Sequence, residues 1–83
     1  MKVLKFYAEW CAPCKMLSRV IEDAKDKITL PIEEVDIDTN GELARSYNIR
    51  GVPALLVVDE NGGVVRSKSG YMNETQLLEF ING

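Results

Sequence analysis

The spacing of hydrophobic and polar positions changes several times along the chain, and each change marks an element. Val3-Leu4-Lys5-Phe6-Tyr7-Ala8 is apolar except at Lys5, the pattern of a strand covered on both faces in a largely parallel sheet. Cys14, Leu17, Val20, Ile21, Ala24 and Ile28 then recur three and four apart, which is one face of a helix. Pro13 suits the first turn of that helix, where a missing N–H has no intrahelical partner to lose, and Pro31 marks the next break. From Ile32 to Asp38 the period returns to two, with Val35 and Ile37 on one side and Glu34 and Asp36 on the other, so this segment reads as a strand. Thr39-Asn40-Gly41-Glu42 has the form of a capping box opening a short helix that carries Leu43, Ala44 and Tyr47. Ala54 to Asp59 is a third strand, Glu60-Asn61-Gly62-Gly63 supplies turn chemistry, and Val64 to Lys68 returns antiparallel. Asn73 with Gln76 forms a second possible capping box, before a final helix using Leu77, Leu78 and Ile81. The predicted order is β-α-β-α-β-β-α: an α/β fold with a four-stranded mixed sheet flanked by helices, residues 1–83 forming a single domain.

Composition narrows what such a domain does. With 83 residues, 46% hydrophobic and 28% charged, the chain has enough apolar material for one core and too much for a disordered segment. Ten Lys and Arg against thirteen Asp and Glu give a net charge of −3, and the basic residues are scattered, so nucleic acid is not an expected partner. The longest apolar run, Val52 to Val58, contains Pro53 and falls far short of the ~20 residues that cross a membrane. Lys5 and Glu9 interrupt any signal-peptide core, which points to the cytoplasm.

Two Cys, at positions 11 and 14, and no His leave little room for other chemistries. A structural zinc site takes four Cys or His ligands, so no metal site is expected within one chain. A Cys11–Cys14 disulfide would close a loop of about four residues, worth roughly 2 kcal/mol on the chain-entropy model. That makes a poor staple and directs attention to redox chemistry. A C-x-x-C pair opening a helix directly after a buried strand places Cys11 where helix N–H groups and the macrodipole favour a thiolate. The thiolate is the attacking species, so Cys11 is the expected exposed nucleophile and Cys14, one turn on, the partly buried resolving thiol. The alternatives are two unrelated buried thiols, half of a zinc site shared between two chains, or an iron–sulfur cluster held across a dimer.

Residues 3 to 15, Val-Leu-Lys-Phe-Tyr-Ala-Glu-Trp-Cys-Ala-Pro-Cys-Lys, resemble the active-site segment of the thioredoxins, with Ala12 where most members have Gly. Asn48-Ile49-Arg50-Gly51-Val52-Pro53 resembles the loop that carries the family's cis-proline, and Gly70 matches a family glycine near the end of the last strand. The resemblance covers essentially the whole chain, without the first strand and helix of full-length members, and so implies a minimal thioredoxin fold of glutaredoxin size. It implies that Pro53 sits in a cis peptide opposite the Cys pair, leaving the Val52 backbone free to pair with an extended substrate strand. Trp10 would shield the thiolate and contact substrate beside Ala12 and Pro13, or serve as a plain hydrophobic residue at a sheet edge. Gly70 would let a substrate backbone approach, or serve as a simple turn glycine. Tyr7 is expected to pack beneath the site.

Lys5 departs from the family pattern. It occupies the strand position where most thioredoxins carry a buried Asp that assists proton transfer at the resolving Cys, with a Lys on the neighbouring strand. Here Glu34 aligns with that Lys, which suggests a swapped pair. Either Glu34, compensated by Lys5, moves the proton of Cys14, or both groups are simply solvated. Arg19 stands where many thioredoxins have a helix-kinking proline.

These features imply a protein disulfide reductase, an electron carrier working by reversible dithiol–disulfide exchange with no cofactor beyond the Cys11–Cys14 pair. The resemblance implies disulfide-containing client proteins, ribonucleotide reductase among them, and recycling by a thioredoxin reductase or a related dithiol reductase, with the protein a monomer. A glutathione-dependent, glutaredoxin-like oxidoreductase suits the size. However, Cys-Pro-Tyr-Cys is absent, Gly51 precedes Val52-Pro53 where glutaredoxins commonly have Thr, and no Gly-Gly-x-Asp segment follows the hairpin. A redox-independent binding module built on the sheet edge and Trp10 is the third reading.

Overall fold

The computed structural model describes residues 1–83. Strand β1 (Lys2–Tyr7) leads into helix α1 (Ala12–Ala24), which tightens into a 3₁₀ turn at Lys25–Lys27. Then come β2 (Ile32–Asp36), α2 (Gly41–Ser46), β3 (Ala54–Val58), β4 (Val64–Ser69) and α3 (Glu74–Asn82). The four strands form one sheet in the order β2-β1-β3-β4. β1 runs parallel to β2 and antiparallel to β3, and β3 and β4 form an antiparallel hairpin. The predicted element order is thus observed, with β1 as an inner strand of a mixed sheet.

Strand alternation divides the core between the two faces of that sheet. Val3, Leu55 and Val57 pack with Leu17 and Ala24 of α1 and Leu77 and Ile81 of α3, with Met72 completing the cluster. Leu4, Phe6, Leu56 and Val58 project the other way, onto Ala44 of α2 and Val35. Each fully buried Leu or Phe contributes roughly 1.5–3 kcal/mol of transfer free energy, so the strand that carries the site is anchored from both sides. Lys5, two residues after Val3, lies on the same face and therefore points towards α1, the one charged side chain among the buried residues.

Three local expectations are corrected. The helix stops at Ala24 rather than reaching Ile28, because its last turn becomes 3₁₀; Ile28 still packs against the α1–α3 cluster. β2 ends at Asp36, where the carboxylate accepts the Asp38 N–H at 2.8 Å and the carbonyl accepts the Asn40 N–H at 2.9 Å, turning the chain. The Thr39–Glu42 capping box does not form: Asn40 is the N-cap of α2 and makes no side-chain cap bond, while the Thr39 hydroxyl lies 3.4 Å from the Asp36 carbonyl. The box at α3 does form, Gln76 N–H donating to Asn73 Oδ1 at 2.8 Å and Asn73 N–H to Gln76 Oε1 at 3.0 Å.

Candidate active site

β1 delivers the chain to the Cys pair beyond its C-terminal end, where α1 begins. Cys11 is the N-cap of α1, in extended conformation, and its Sγ accepts the Cys14 N–H at 3.2 Å. Pro13 lies in the first turn, as its fixed φ favours. Cys11 and Cys14 form a disulfide with their Cα atoms 5.2 Å apart. The expected exposure of Cys11 is not found. Cys11 is 5% exposed and Cys14 2%, because Tyr7, Ile37 and Val52 pack around them. Ala12 and Pro13, between the two sulfurs, are exposed.

The loop before β3 closes over this pair. The Val52–Pro53 peptide is cis, and the Val52 carbonyl oxygen lies 3.6 Å from Cys11 Sγ. Gly70 N–H donates to the Pro53 carbonyl at 2.8 Å, which ties the end of β4 to the same loop. Gly70 has φ +90°, and a Cβ there would meet nothing within 4 Å, so the conformation demands glycine while the space beside it is open. Trp10 is 69% exposed, and its indole N–H donates to Asp38 Oδ2 at 3.0 Å. Cys11, Val52, Pro53 and Gly70 therefore converge, with Trp10, Ala12 and Pro13 along the rim.

Behind Cys14 is a cavity of about 390 Å³ whose lining includes Lys5, Tyr7, Ser18 and Glu34. Lys5 and Glu34 are register partners across β1 and β2, and their charged groups are 3.2 Å apart. The Lys5 ammonium also donates to Ser18 Oγ and lies 5.3 Å from the Tyr7 ring centroid. Ser18 Oγ in turn donates to the Cys14 carbonyl at 3.1 Å. Desolvation pushes the Tyr7 phenol above its usual 10.0, and the carboxylates of Asp36, Glu34 and Glu9 push the same way. Ser18 escaped the sequence reading. Its only signal is its position one helical turn after Cys14, on the face that looks at Lys5.

A pair of thiols that can close into a disulfide at a helix start accepts and donates two electrons, and needs no bound group to do so. No cluster of three or more His, Cys, Asp or Glu is placed to hold a metal ion. No helix is long and apolar enough to cross a membrane.

Comparisons with known proteins agree with this geometry. The sequence model of the thioredoxin family matches residues 1–83. The chain is 42% identical to the thioredoxin of Buchnera aphidicola over 82 residues, covering 96% of this chain and 74% of that protein. It is 37% identical to the thioredoxin of Bacillus subtilis over 79 residues, 93% of this chain and 75% of that one. Among solved structures, a mutant thioredoxin from Halobacterium salinarum superposes with a TM-score of 0.86 at 35% identity, covering 96% of this chain and 70% of the other. The thioredoxin of Fasciola hepatica gives 0.83 at 34% identity, covering 96% and 76%. Fold and site define a thiol–disulfide oxidoreductase working by dithiol–disulfide exchange. The chain belongs to the thioredoxin family. Disulfide-bearing client proteins and a reductase are the partners this membership carries, and the glutaredoxin-like reading is not favoured.

Proposed function

We propose that this protein reduces client disulfides with Cys11 as nucleophile and Cys14 as resolving thiol. In the reduced state the Cys11 thiolate attacks one client sulfur, forms a mixed disulfide and expels the other client sulfur as a thiolate. The Cys14 thiolate then attacks Cys11 Sγ and releases the second client thiolate. The client gains two electrons and becomes a dithiol, and the Cys11–Cys14 disulfide forms. One observation carries the assignment: Cys11 Sγ is the N-cap acceptor of α1, where the helix N–H groups stabilise a thiolate, and it lies beside the Val52–Pro53 loop on which a client would dock.

An extended client segment pairs with the Val52 backbone, passes Pro53 and Gly70 on one side and Trp10, Ala12 and Pro13 on the other. Glu34 takes the proton from Cys14 across the cavity they share, with Lys5 balancing its charge. A dithiol reductase, of thioredoxin reductase type or related to it, restores the reduced form. Protein disulfides such as that of ribonucleotide reductase are suitable clients, and a monomer in the cytoplasm, serving cell redox homeostasis, is the setting we assign.

The test is reduction of a protein disulfide by the reduced protein, followed through Trp10 fluorescence and thiol release. Cys11→Ser is expected to lower the second-order rate at least a thousandfold. Retention of the wild-type rate by that variant would contradict the assignment.

A further inference from the structure

The distribution of cations around the Cys pair identifies a class of client. Of ten Lys and Arg residues, four are held in ion pairs: Lys2 with Glu33, Lys5 with Glu34, Lys25 with Glu22 and Lys27 with Glu74. Arg66 is occupied elsewhere, donating to the Phe80 and Ile81 carbonyls at 2.9 and 3.0 Å at the end of α3. Three of the remaining five, Arg45, Arg50 and Lys68, are exposed and line two adjoining cavities beside the cis-proline loop.

The first cavity, about 360 Å³, lies between Trp10, Arg45, Arg50 and Val52. The second, about 450 Å³, runs from Arg50 to Lys68 past the hydroxyls of Ser67 and Ser69. Ile49, Arg50 and Gly51 form the wall between them. No carboxylate lines either one, in a chain with thirteen Asp and Glu and a net charge of −3. Carboxylates do stand outside these two cavities: Asp38 accepts the Trp10 indole N–H and keeps its charge, Glu9 lines the cavity behind Cys14, and Glu42 lines a separate depression with Thr39 and Asn40. The Arg50 guanidinium meets only the neutral Asn48 Oδ1, at 3.4 Å. The loop itself leads into Val52, whose carbonyl is 3.6 Å from Cys11 Sγ. A segment lying on Val52 to present its disulfide to Cys11 would therefore run between three unpaired cations.

We propose that the preferred clients are disulfide segments with Asp or Glu within a few residues of the attacked cysteine. The inference rests on the assignment of Val52 and Cys11 to client docking. Exposed single charges contribute little to affinity in water, but a patch of one sign beside the reacting atom steers encounter and raises the association rate by roughly 10 to 1000-fold at low salt. Acidic clients thus gain in rate before they gain in equilibrium binding, and basic ones lose.

Two intramolecularly disulfide-bridged peptides, identical except for Glu or Lys on both sides of one cysteine, test this with the fully reduced protein. The neutral 2-hydroxyethyl disulfide serves as the third substrate. The Glu peptide is expected to react about tenfold faster than the Lys peptide at low ionic strength, an advantage that shrinks as salt shortens the screening length. In the Arg50→Glu, Lys68→Glu double variant the order of the two peptides is expected to reverse. Equal rates for the two peptides in the unmodified protein, or a faster Lys peptide, would overturn the inference even with 2-hydroxyethyl disulfide reduced normally. Failure to reduce all three substrates would instead overturn the exchange assignment on which it rests.

Discussion

Lys5 and Glu34 form an ion pair of 3.2 Å in which one partner is buried and the other is not: the Lys5 side chain is 2% exposed and that of Glu34 58%. They stand opposite each other in the β1–β2 register. Of the two readings the sequence allowed, simple solvation therefore fails for Lys5 and holds for much of Glu34. The charge lodged in the sheet behind Cys14 is positive, and Ser18 links its ammonium to the backbone of Cys14 itself.

A buried positive charge favours the thiolate form of Cys14 and so the reduced state of the pair. Lys5→Met is expected to make the reduction potential more negative by about 30 mV, equivalent to ~1.4 kcal/mol for a two-electron couple. Folding stability should be unchanged or higher, because an apolar chain of similar volume replaces a desolvated ammonium. Equilibration with thiol buffers and a denaturant titration measure the two effects. An unchanged or less negative potential would show that Lys5 does not act on Cys14.

Glu34→Gln removes the proposed proton acceptor and keeps the shape. The resolving step is expected to slow about tenfold at pH 7, and the loss should shrink towards pH 9, where solvent base takes over. Equal rates for variant and wild type from pH 6 to 9, with the Cys14 titration unaltered, would exclude Glu34 from proton transfer.

Tyr7 gives a prediction in the alkaline range. Its phenol is raised above 10.0 by desolvation first and then by Asp36, Glu34 and Glu9. The folded protein therefore holds this proton more tightly than the unfolded chain. The stabilisation is complete below pH 10 and is lost as pH rises through the folded-state value. Tyr7→Phe should flatten the decline of stability above pH 10, read by denaturant unfolding at several pH values. A decline as steep as that of the wild type would place the alkaline sensitivity elsewhere.

Gly70 combines φ +90° with open space where a Cβ would go. Gly70→Ala is expected to cost about 1 kcal/mol through backbone strain alone and to slow client reduction by disturbing the Gly70–Pro53 hydrogen bond. Thermal unfolding and peptide reduction rates check both halves. Stability equal to that of wild type would mean that the turn relaxes at no cost.

The elements legible in the sequence were those governed by local periodicity. The stripe read from Cys14 to Ile28, the strand read from Ala54 to Asp59 and the Asn73–Gln76 box are each written in residues a few positions apart; the box is present, the helix stops at Ala24 and the strand at Val58. The Lys5–Glu34 pairing came from the thioredoxin resemblance, which sets Glu34 where the family has a Lys beside its buried Asp, and the β1–β2 register places the two opposite each other. What local pattern did not carry is long-range. Cys11 is covered by Val52, 41 residues away, and so is less open than its place at a helix start suggested. The Asp36 carbonyl and carboxylate hold the turn before α2, which displaced the Thr39–Glu42 box. Ser18 gains significance only because the sheet brings Lys5 under α1. The cations Arg45, Arg50 and Lys68 are likewise far apart in sequence and adjacent only around the proline loop.

The division of labour between the two sulfurs is tested most directly by trapping. Cys14→Ser, reduced and mixed with a labelled disulfide peptide, should hold one peptide thiol per molecule as a stable mixed disulfide at Cys11, identified by mass spectrometry after proteolysis without reductant. Cys11→Ser under the same conditions should hold none. Accumulation of peptide on Cys14 in the Cys11→Ser protein, with no adduct on Cys11 in the Cys14→Ser protein, would contradict the account.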